Sequence, residues 1–139
     1  MITFKQMLGE NLISDVPIKV QQNMDDVIKK VNSVEVESGI KMILTSGLRS
    51  MQHHKKVYSI LNHQRELKGL TPLSIPMSSR HLSGEACDIS DPDGKLMEWC
   101  KLNVPTLEKL GLWMEEKDEQ KRVHFQIVPP RSGKRFFKP

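Results

Sequence analysis

The feature that most constrains the fold is an apolar stripe that begins shortly after Pro17. Its members recur at intervals of three and four residues: Val20, Met24, Val27, Ile28, Val31 and Val34. This spacing places them on one face of an α-helix. Pro17 suits the first turn of that helix, and Gly39 suits the position after its end. A helix with one apolar face needs a second layer against which to bury it.

Short apolar runs supply the strands of that second layer. They span residues 41–45, 84–89, 112–115 and 123–128, and a charged loop over 116–122 joins the last two. The strands are separated by three further predicted helices: one capped by Ser50 and two short ones over 96–102 and 106–110, broken at Pro105. We therefore predict one α+β domain over residues 1–139, with helices packed on one side of a small, mostly antiparallel sheet.

Composition excludes several classes of protein. No apolar run approaches the ~20 residues that a membrane helix needs, and acids and amides interrupt the start of the chain where a signal peptide is apolar. Cys87 and Cys100 are too few for a disulfide framework, which favours a reducing compartment. The net charge of +4 favours an anionic partner, such as nucleic acid, a membrane surface or a wall polymer.

The first candidate site residues lie around the predicted strand 84–89. His81 stands just before it, and Asp88 lies within it. Alternation along the strand places Asp88 on the same face as Gly84 and Ala86. Because these neighbours are small, a metal ion or a substrate can approach the carboxylate closely.

The last two strands add a second group of candidates. On the final strand the core-facing residues are Val123, Phe125 and Ile127. His124 and Gln126 therefore point away from the core. If the preceding strand pairs with this one as a hairpin, Trp113 and Glu115 must share the face of His124. A carboxylate beside a histidine suits metal-assisted hydrolysis, in which zinc acidifies water and the carboxylate carries the proton to the leaving group.

These residues carry a family resemblance. The pattern Ser79-x-His81-x-x-Gly84-x-Ala86-x-Asp88, followed downstream by the sequence His-Phe-Gln at 124–126, resembles the zinc D-alanyl-D-alanine carboxypeptidase and L-alanyl-D-glutamate endopeptidase family. The chain looks like the short phage-encoded branch, whose fold is shared with lysostaphin-type enzymes and the hedgehog signalling domain. Residues 45–50 resemble the strand-end segment in which an arginine of this family engages the substrate. The resemblance covers residues 40–130.

The resemblance implies a role for each matching residue. It makes His81, Asp88 and His124 the zinc ligands, and it makes Arg49 the residue that binds or polarises the substrate.

Three other residues are assigned to substrate binding. Ser79 begins the family motif, and Gln126 follows the last ligand on the same strand face. Trp113 is either a sheet-packing residue or the wall of a substrate groove.

One position departs from the family pattern. Many relatives have a general acid/base carboxylate three residues before the last ligand, where this chain has Lys121. The nearby acidic candidates are Glu115, Glu116, Asp118 and Glu119. We predict Glu115, because the strand argument places it on the face of His124, and Glu119 is the second choice.

The sequence therefore predicts a zinc peptidase that hydrolyses an amide bond in bacterial peptidoglycan stem peptides, of D,D-carboxypeptidase or L,D-endopeptidase type. We expect a monomeric phage lysis enzyme that neither binds nucleic acid nor inserts into membranes. It would accumulate in the cytoplasm of the producing cell and act on the cell wall after release.

Two alternatives remain. Lys121 favours a non-catalytic wall-binding or virion domain that keeps the fold and the metal site. The basic, aromatic tail over 131–138 and a pI of about 9.1 favour a nucleic-acid binder, although we expect Phe136 and Phe137 to pack back onto the domain.

Two further histidines, His53 and His54, are both predicted to lie at the surface. Their side chains diverge by ~100° because they are adjacent on a helix, so they cannot form a metal pair.

Overall fold

The computed structural model describes residues 1–75, 79–116 and 121–138. The α-helices in these ranges are α1 (Phe4–Leu8), α2 (Ile18–Ser38), α3 (Met51–Leu67), α4 (Lys95–Leu102) and α5 (Val104–Leu110). A 3₁₀ turn spans Ile13–Asp15. The strands are β1 (Leu44–Ser46), β2 (Ala86–Ser90), β3 (Trp113–Glu115), β4 (Arg122–Gln126) and β5 (Phe136–Phe137).

Helix α2 is the predicted amphipathic helix. Pro17 is its N-cap residue, and Gly39 ends it in the left-handed conformation with φ 72°. Glycine adopts that conformation without the strain that a side chain introduces. Four residues of the predicted stripe are fully buried: Met24, Val27, Val31 and Val34.

The strands form one mixed sheet in the order β1-β2-β4-β3-β5. All neighbours are antiparallel except β3 and β5, which are parallel. The α+β class and the mostly antiparallel sheet are confirmed. Strand β5 was not predicted, because a two-residue strand has no periodicity of its own.

The hydrophobic core lies on one face of the sheet. The buried sheet residues on that face are Cys87, Ile89, Met114, Val123 and Phe125. They share a single core cluster with the apolar stripe of α2 and with Leu96 of α4 and Leu107 of α5. Since side chains alternate along a strand, the opposite face is left for polar residues.

Ser50 is the N-cap residue of helix α3, and its hydroxyl accepts a hydrogen bond from the backbone N–H of His53. Its apolar residues are largely exposed, with Ile60 54% and Leu67 76% accessible. His54 is 1% exposed, and its ring lies 5.0 Å from the ring of Tyr58. The prediction that His54 lies at the surface is therefore wrong. Divergence along a helix separates two neighbours, but it does not say which of them faces inward.

The two short helices are separated at Asn103 rather than at Pro105. Pro105 lies in the first turn of α5, where a missing backbone N–H costs little. The side-chain amide of Asn103 donates to the carbonyl of Trp99 in α4. Among the described residues, no helix combines the length and the apolar character that crossing a membrane requires.

Candidate metal centre

His81, Asp88 and His124 converge on the polar face of the sheet. Each offers one ligand atom, and these atoms all lie within 4.8 Å of one another. His81 and Asp88 are buried, and His124 is half-buried. The structure thus brings together the three residues that the family pattern identified, although they come from a turn and two different strands.

Strand pairing positions two of the three side chains. Asp88 on β2 lies directly opposite His124 on β4. The Nδ1 atom of His124 is 2.9 Å from Oδ1 of Asp88. His81 reaches the same oxygen from the turn that precedes β2, with its Nε2 atom 3.3 Å away.

The turn that carries His81 is held tightly against α2. Gly84, in the middle of the family motif, has a φ of +73°, and a Cβ atom built there would lie 2.8 Å from the Val20 carbonyl oxygen. The side-chain amide of Asn23 donates to the carbonyl of Ser83. The motif therefore needs glycine at position 84 for two reasons, backbone conformation and lack of space.

The contacts of His81 are compatible with a cation site. Its Nδ1 atom lies 2.9 Å from the backbone carbonyl oxygen of Gly47, which can only accept a hydrogen bond. The neutral imidazole therefore carries its proton on Nδ1 and directs the Nε2 lone pair at Asp88. Two acceptors that face each other repel unless a proton or a metal ion lies between them. Two histidines with one carboxylate match the ligand set of a catalytic zinc site, so the residues present fit the ion that the family pattern implies.

Asp88 is ionised in this environment. Burial raises the pKa of Asp88, but hydrogen bonding to the His124 and His81 imidazoles outweighs burial and holds that pKa well below its usual range. The side chain of Asp88 is only 3% exposed. A buried carboxylate that stays charged is prepared to bind a cation.

Two arginines reach the other oxygen of Asp88. Nη2 of Arg49 and Nη1 of Arg122 each lie 3.8 Å from Oδ2. Arg49 was predicted as a functional residue, whereas Arg122 was missed. The signal was available, because alternation along β4 places Arg122 on the same face as His124 and Gln126.

Glu115 lies where the hairpin argument predicted. It pairs with His124 across β3 and β4. On its other side it pairs with Phe137 of β5, whose ring is edge-on to the His124 ring at 6.3 Å. The second choice for the acid/base, Glu119, lies outside the described residues, as does Asp118. Lys121 is exposed, and its carbonyl accepts from the backbone N–H of Asp91.

The predicted substrate-binding residues differ in their surroundings. Ser79 is half-buried at the start of the turn that contains His81. Trp113 pairs with Gln126, and the guanidinium of Arg135 stacks 4.5 Å from its ring centroid. Gln126 is 5% exposed, and Oε1 of its amide is 3.0 Å from Nε2 of His124.

A cleft of about 690 Å³ opens beside Arg49. Its lining includes Glu10 and Asn11 of the N-terminal segment together with Ser46, Arg49 and His53. The segment before residue 17 carried no functional signal in the sequence, yet it forms a wall next to a predicted substrate-binding residue.

Comparison with protein-family models places the chain in a known family. The model of the VanY family, described as D-alanyl-D-alanine carboxypeptidase, matches residues 17–132. Searches of curated proteins and of solved structures gave no match. The matched range contains the whole His81, Asp88 and His124 cluster but leaves out the N-terminal wall of the cleft.

Proposed function

Since the chain belongs to the D-alanyl-D-alanine carboxypeptidase family, we propose that it is a zinc-dependent peptidase that hydrolyses an amide bond in peptidoglycan stem peptides. The observation that carries the proposal is the convergence of the ligand atoms of His81, Asp88 and His124 within 4.8 Å of one another. The family favours a D-alanyl-D-alanine bond as the substrate, and an L,D-endopeptidase activity is the second to assay.

In this proposal His81, Asp88 and His124 hold the zinc ion and leave a further coordination position open to water or substrate. When bound, the ion supplies Lewis acidity for water and for the scissile carbonyl. The protein holds both imidazoles in place through hydrogen bonds on the side away from Asp88. Such outer contacts orient ligands before the ion arrives.

Glu115 is proposed to move the proton. It is the described carboxylate directly across the strand pair from His124. Directly opposed residues in an antiparallel pair have Cβ atoms about 4.5–5.5 Å apart. A carboxylate at that separation can take a proton from water and give it to the leaving amine.

Arg49 is proposed to hold the carboxylate or a carbonyl of the peptide. Its Nε donates to the Ser46 hydroxyl, and its backbone N–H donates to the carbonyl of His81. The arginine is thereby tied to the turn that carries a proposed ligand. Its side chain keeps 20% of its surface exposed, on the side of the cleft.

The test combines metal analysis with a peptide assay. Purified protein should contain zinc by elemental analysis, and it should release D-alanine from a stem peptide that ends in D-alanyl-D-alanine, as detected by mass spectrometry. His81→Ala should lose both, whereas His63→Ala, which changes an exposed histidine on α3, should keep both. Absence of zinc, or equal hydrolysis by His81→Ala, would contradict the proposal.

One observation favours a second function. Because Lys121 occupies the usual acid/base position, the domain can be a non-catalytic wall-binding module that keeps the metal site. Binding to isolated cell walls without release of new amino groups, by a protein that contains zinc, would support this alternative.

We also propose a role in phage lysis, on the resemblance to the short phage-encoded branch. The enzyme would be made in the cytoplasm and would reach the wall once the membrane is breached. Expression in bacteria should then cause lysis when a membrane-permeabilising agent is added. His81→Ala should not cause lysis under the same conditions.

A further inference from the structure

We propose that Gln126 is a positioning residue that selects the Nδ1 atom of His124 as its metal-binding nitrogen. The inference rests on the proposed metal site but not on peptidase activity. It also replaces the substrate contact that the sequence predicted for Gln126.

A hydrogen bond to the backbone of Val128 fixes the orientation of the Gln126 amide. Its Nε2 atom lies 2.8 Å from the backbone carbonyl oxygen of Val128. Since a carbonyl oxygen can only accept, the amide nitrogen must be the atom that faces Val128. The Oε1 atom of Gln126 is therefore the atom directed at His124.

The Gln126 oxygen fixes the proton on His124. Oε1 of Gln126 is 3.0 Å from Nε2 of the imidazole, and an amide oxygen is also only an acceptor. Once a metal ion replaces the proton between Nδ1 and Asp88, the proton of the neutral His124 must therefore lie on Nε2. Its lone pair is then on Nδ1, the atom that lies 2.9 Å from Asp88.

Burial protects the contact between Gln126 and His124. Gln126 is 5% exposed, so water has little access to replace its oxygen as the partner of His124. Both functional groups of its amide are used within the chain, which leaves it poorly suited to bind substrate. With the proton on Nδ1 instead, the Nε2 lone pair would face the Gln126 oxygen with no hydrogen between the two acceptors, which disfavours the other tautomer.

The two proposed histidine ligands are therefore oriented in different ways. A backbone carbonyl, that of Gly47, holds His81 and leaves its Nε2 atom for the ion. A side chain holds His124 and leaves its Nδ1 atom. Only the second arrangement can be changed by a substitution of the orienting group.

The direct test reads the tautomer. Long-range ¹H–¹⁵N correlation spectra of the zinc-loaded protein should show His124 protonated on Nε2 and His81 protonated on Nδ1. After zinc is added, the ¹⁵N shift that changes most should be Nδ1 of His124 and Nε2 of His81. A proton on Nδ1 of His124, or zinc on its Nε2, would overturn the inference.

Substitutions provide the second test. Gln126→Leu removes the acceptor and should weaken zinc binding about 10–100-fold, the usual loss for an outer contact of a ligand. Gln126→Glu keeps an acceptor for Nε2 and should retain more of the affinity. The matched control is Gln21→Leu, which removes a similar amide-to-carbonyl hydrogen bond, to Val16, far along the chain from the cluster.

The outcomes separate this inference from the proposed function. If wild-type protein binds no zinc, the proposed metal site fails. If zinc binds and Gln126→Leu has wild-type affinity and an unchanged His124 tautomer, the positioning role fails while the metal site stands. If Gln126→Leu does not fold, the wild-type spectra and Gln126→Glu still decide the question.

Discussion

Asp88 is the residue on which the polar face of the sheet converges. Two imidazoles lie against one carboxylate oxygen and two guanidiniums lie near the other. The buried carboxylate is thus surrounded by groups that favour its charged form. One residue of β2 therefore sets the electrostatics of the whole site.

Glu115 is the residue to change in order to test proton transfer. Glu115→Gln should lower kcat by about 10²–10⁴, because general acid/base catalysis contributes that much. Zinc content should not change, since Glu115 is not a proposed ligand. Elemental analysis and a D-alanine release assay measure the two quantities.

The neighbouring acid provides the control. Glu116 is ion-paired with Lys101 at 2.9 Å and alternates away from the face of Glu115. Glu116→Gln should keep full activity. If Glu115→Gln stays active as well, another group carries the proton.

The buried thiols predict how stability depends on pH. Burial, and secondarily the carboxylate of Asp91, raise the pKa of Cys100 to about 12. An unfolded thiol ionises near pH 8.5, so the stabilisation is complete below that pH and is lost as the pH rises toward 12. Cys100→Ala should remove up to about 1.4 kcal/mol per pH unit from the alkaline decline in the free energy of unfolding.

Urea unfolding at pH 8 and at pH 10 measures this difference. Cys87, whose pKa burial also raises, remains in both proteins and serves as an internal reference. Equal slopes with pH for wild type and Cys100→Ala would contradict the prediction.

At the scale of elements, the packing of the His81 turn on α2 decides whether the cluster assembles. The turn ends at Gly84, two residues before β2 begins. Asp88 and His124 are positioned separately, because they lie directly opposite each other in the pairing of β2 with β4. Any change that separates the turn from α2 moves His81 away from two residues that remain fixed on the sheet.

Gly84→Ala tests this packing. The new methyl group would meet the Val20 carbonyl oxygen and the side chain of Met24, both at 2.8 Å, at a positive φ. We expect the free energy of unfolding to fall by more than the ~1–3 kcal/mol that a strained backbone residue costs. Zinc binding should also become weaker.

Gly94→Ala is the matched control. Gly94 has a φ of +74° but nothing within 4 Å of a built Cβ. Gly94→Ala should therefore lower the free energy of unfolding only by the cost of the positive φ, and it should leave zinc binding unchanged. Chemical denaturation measures both variants, and equal losses would show that the close approach at Gly84 is unimportant.

At the scale of the whole molecule, the N-terminal segment supports the loop that carries Arg49. The backbone N–H of Leu48 donates to the carbonyl of Met7 at 2.8 Å. A Cβ atom on Gly47 would lie 2.6 Å from that same oxygen. Residues before the matched family range therefore help to set the position of a proposed substrate-binding residue.

Metal binding should stabilise the molecule as a whole. With free zinc at 1,000 times its dissociation constant, the free energy of unfolding should rise by about 4 kcal/mol. For a chain of this size, that corresponds to an increase in Tm on the order of 10 °C. Differential scanning calorimetry with zinc and with a chelator measures the shift, and His81→Ala should show none. An equal shift in the variant would place the stabilising ion elsewhere.

Much of the fold and of the site could be predicted from local patterns. The stripe of α2 and the alternation along β2 and β4 depend on residues close together in the sequence. Alternation placed Glu115 on the face of His124, because the core residues Met114 and Phe125 must share the opposite face of the paired strands. Pairings between distant segments have no such local signal, as the parallel contact of β3 with β5 illustrates.

By itself, the sequence determined which residue types stand at each position and which face of its own strand or helix each side chain occupies. Backbone geometry imposes those periods wherever the element forms. Only the tertiary structure decided that His54 is buried, that Arg122 reaches Asp88, and that Gln126 lies against His124. Those contacts depend on distances of a few ångströms between side chains, which packing determines and periodicity does not.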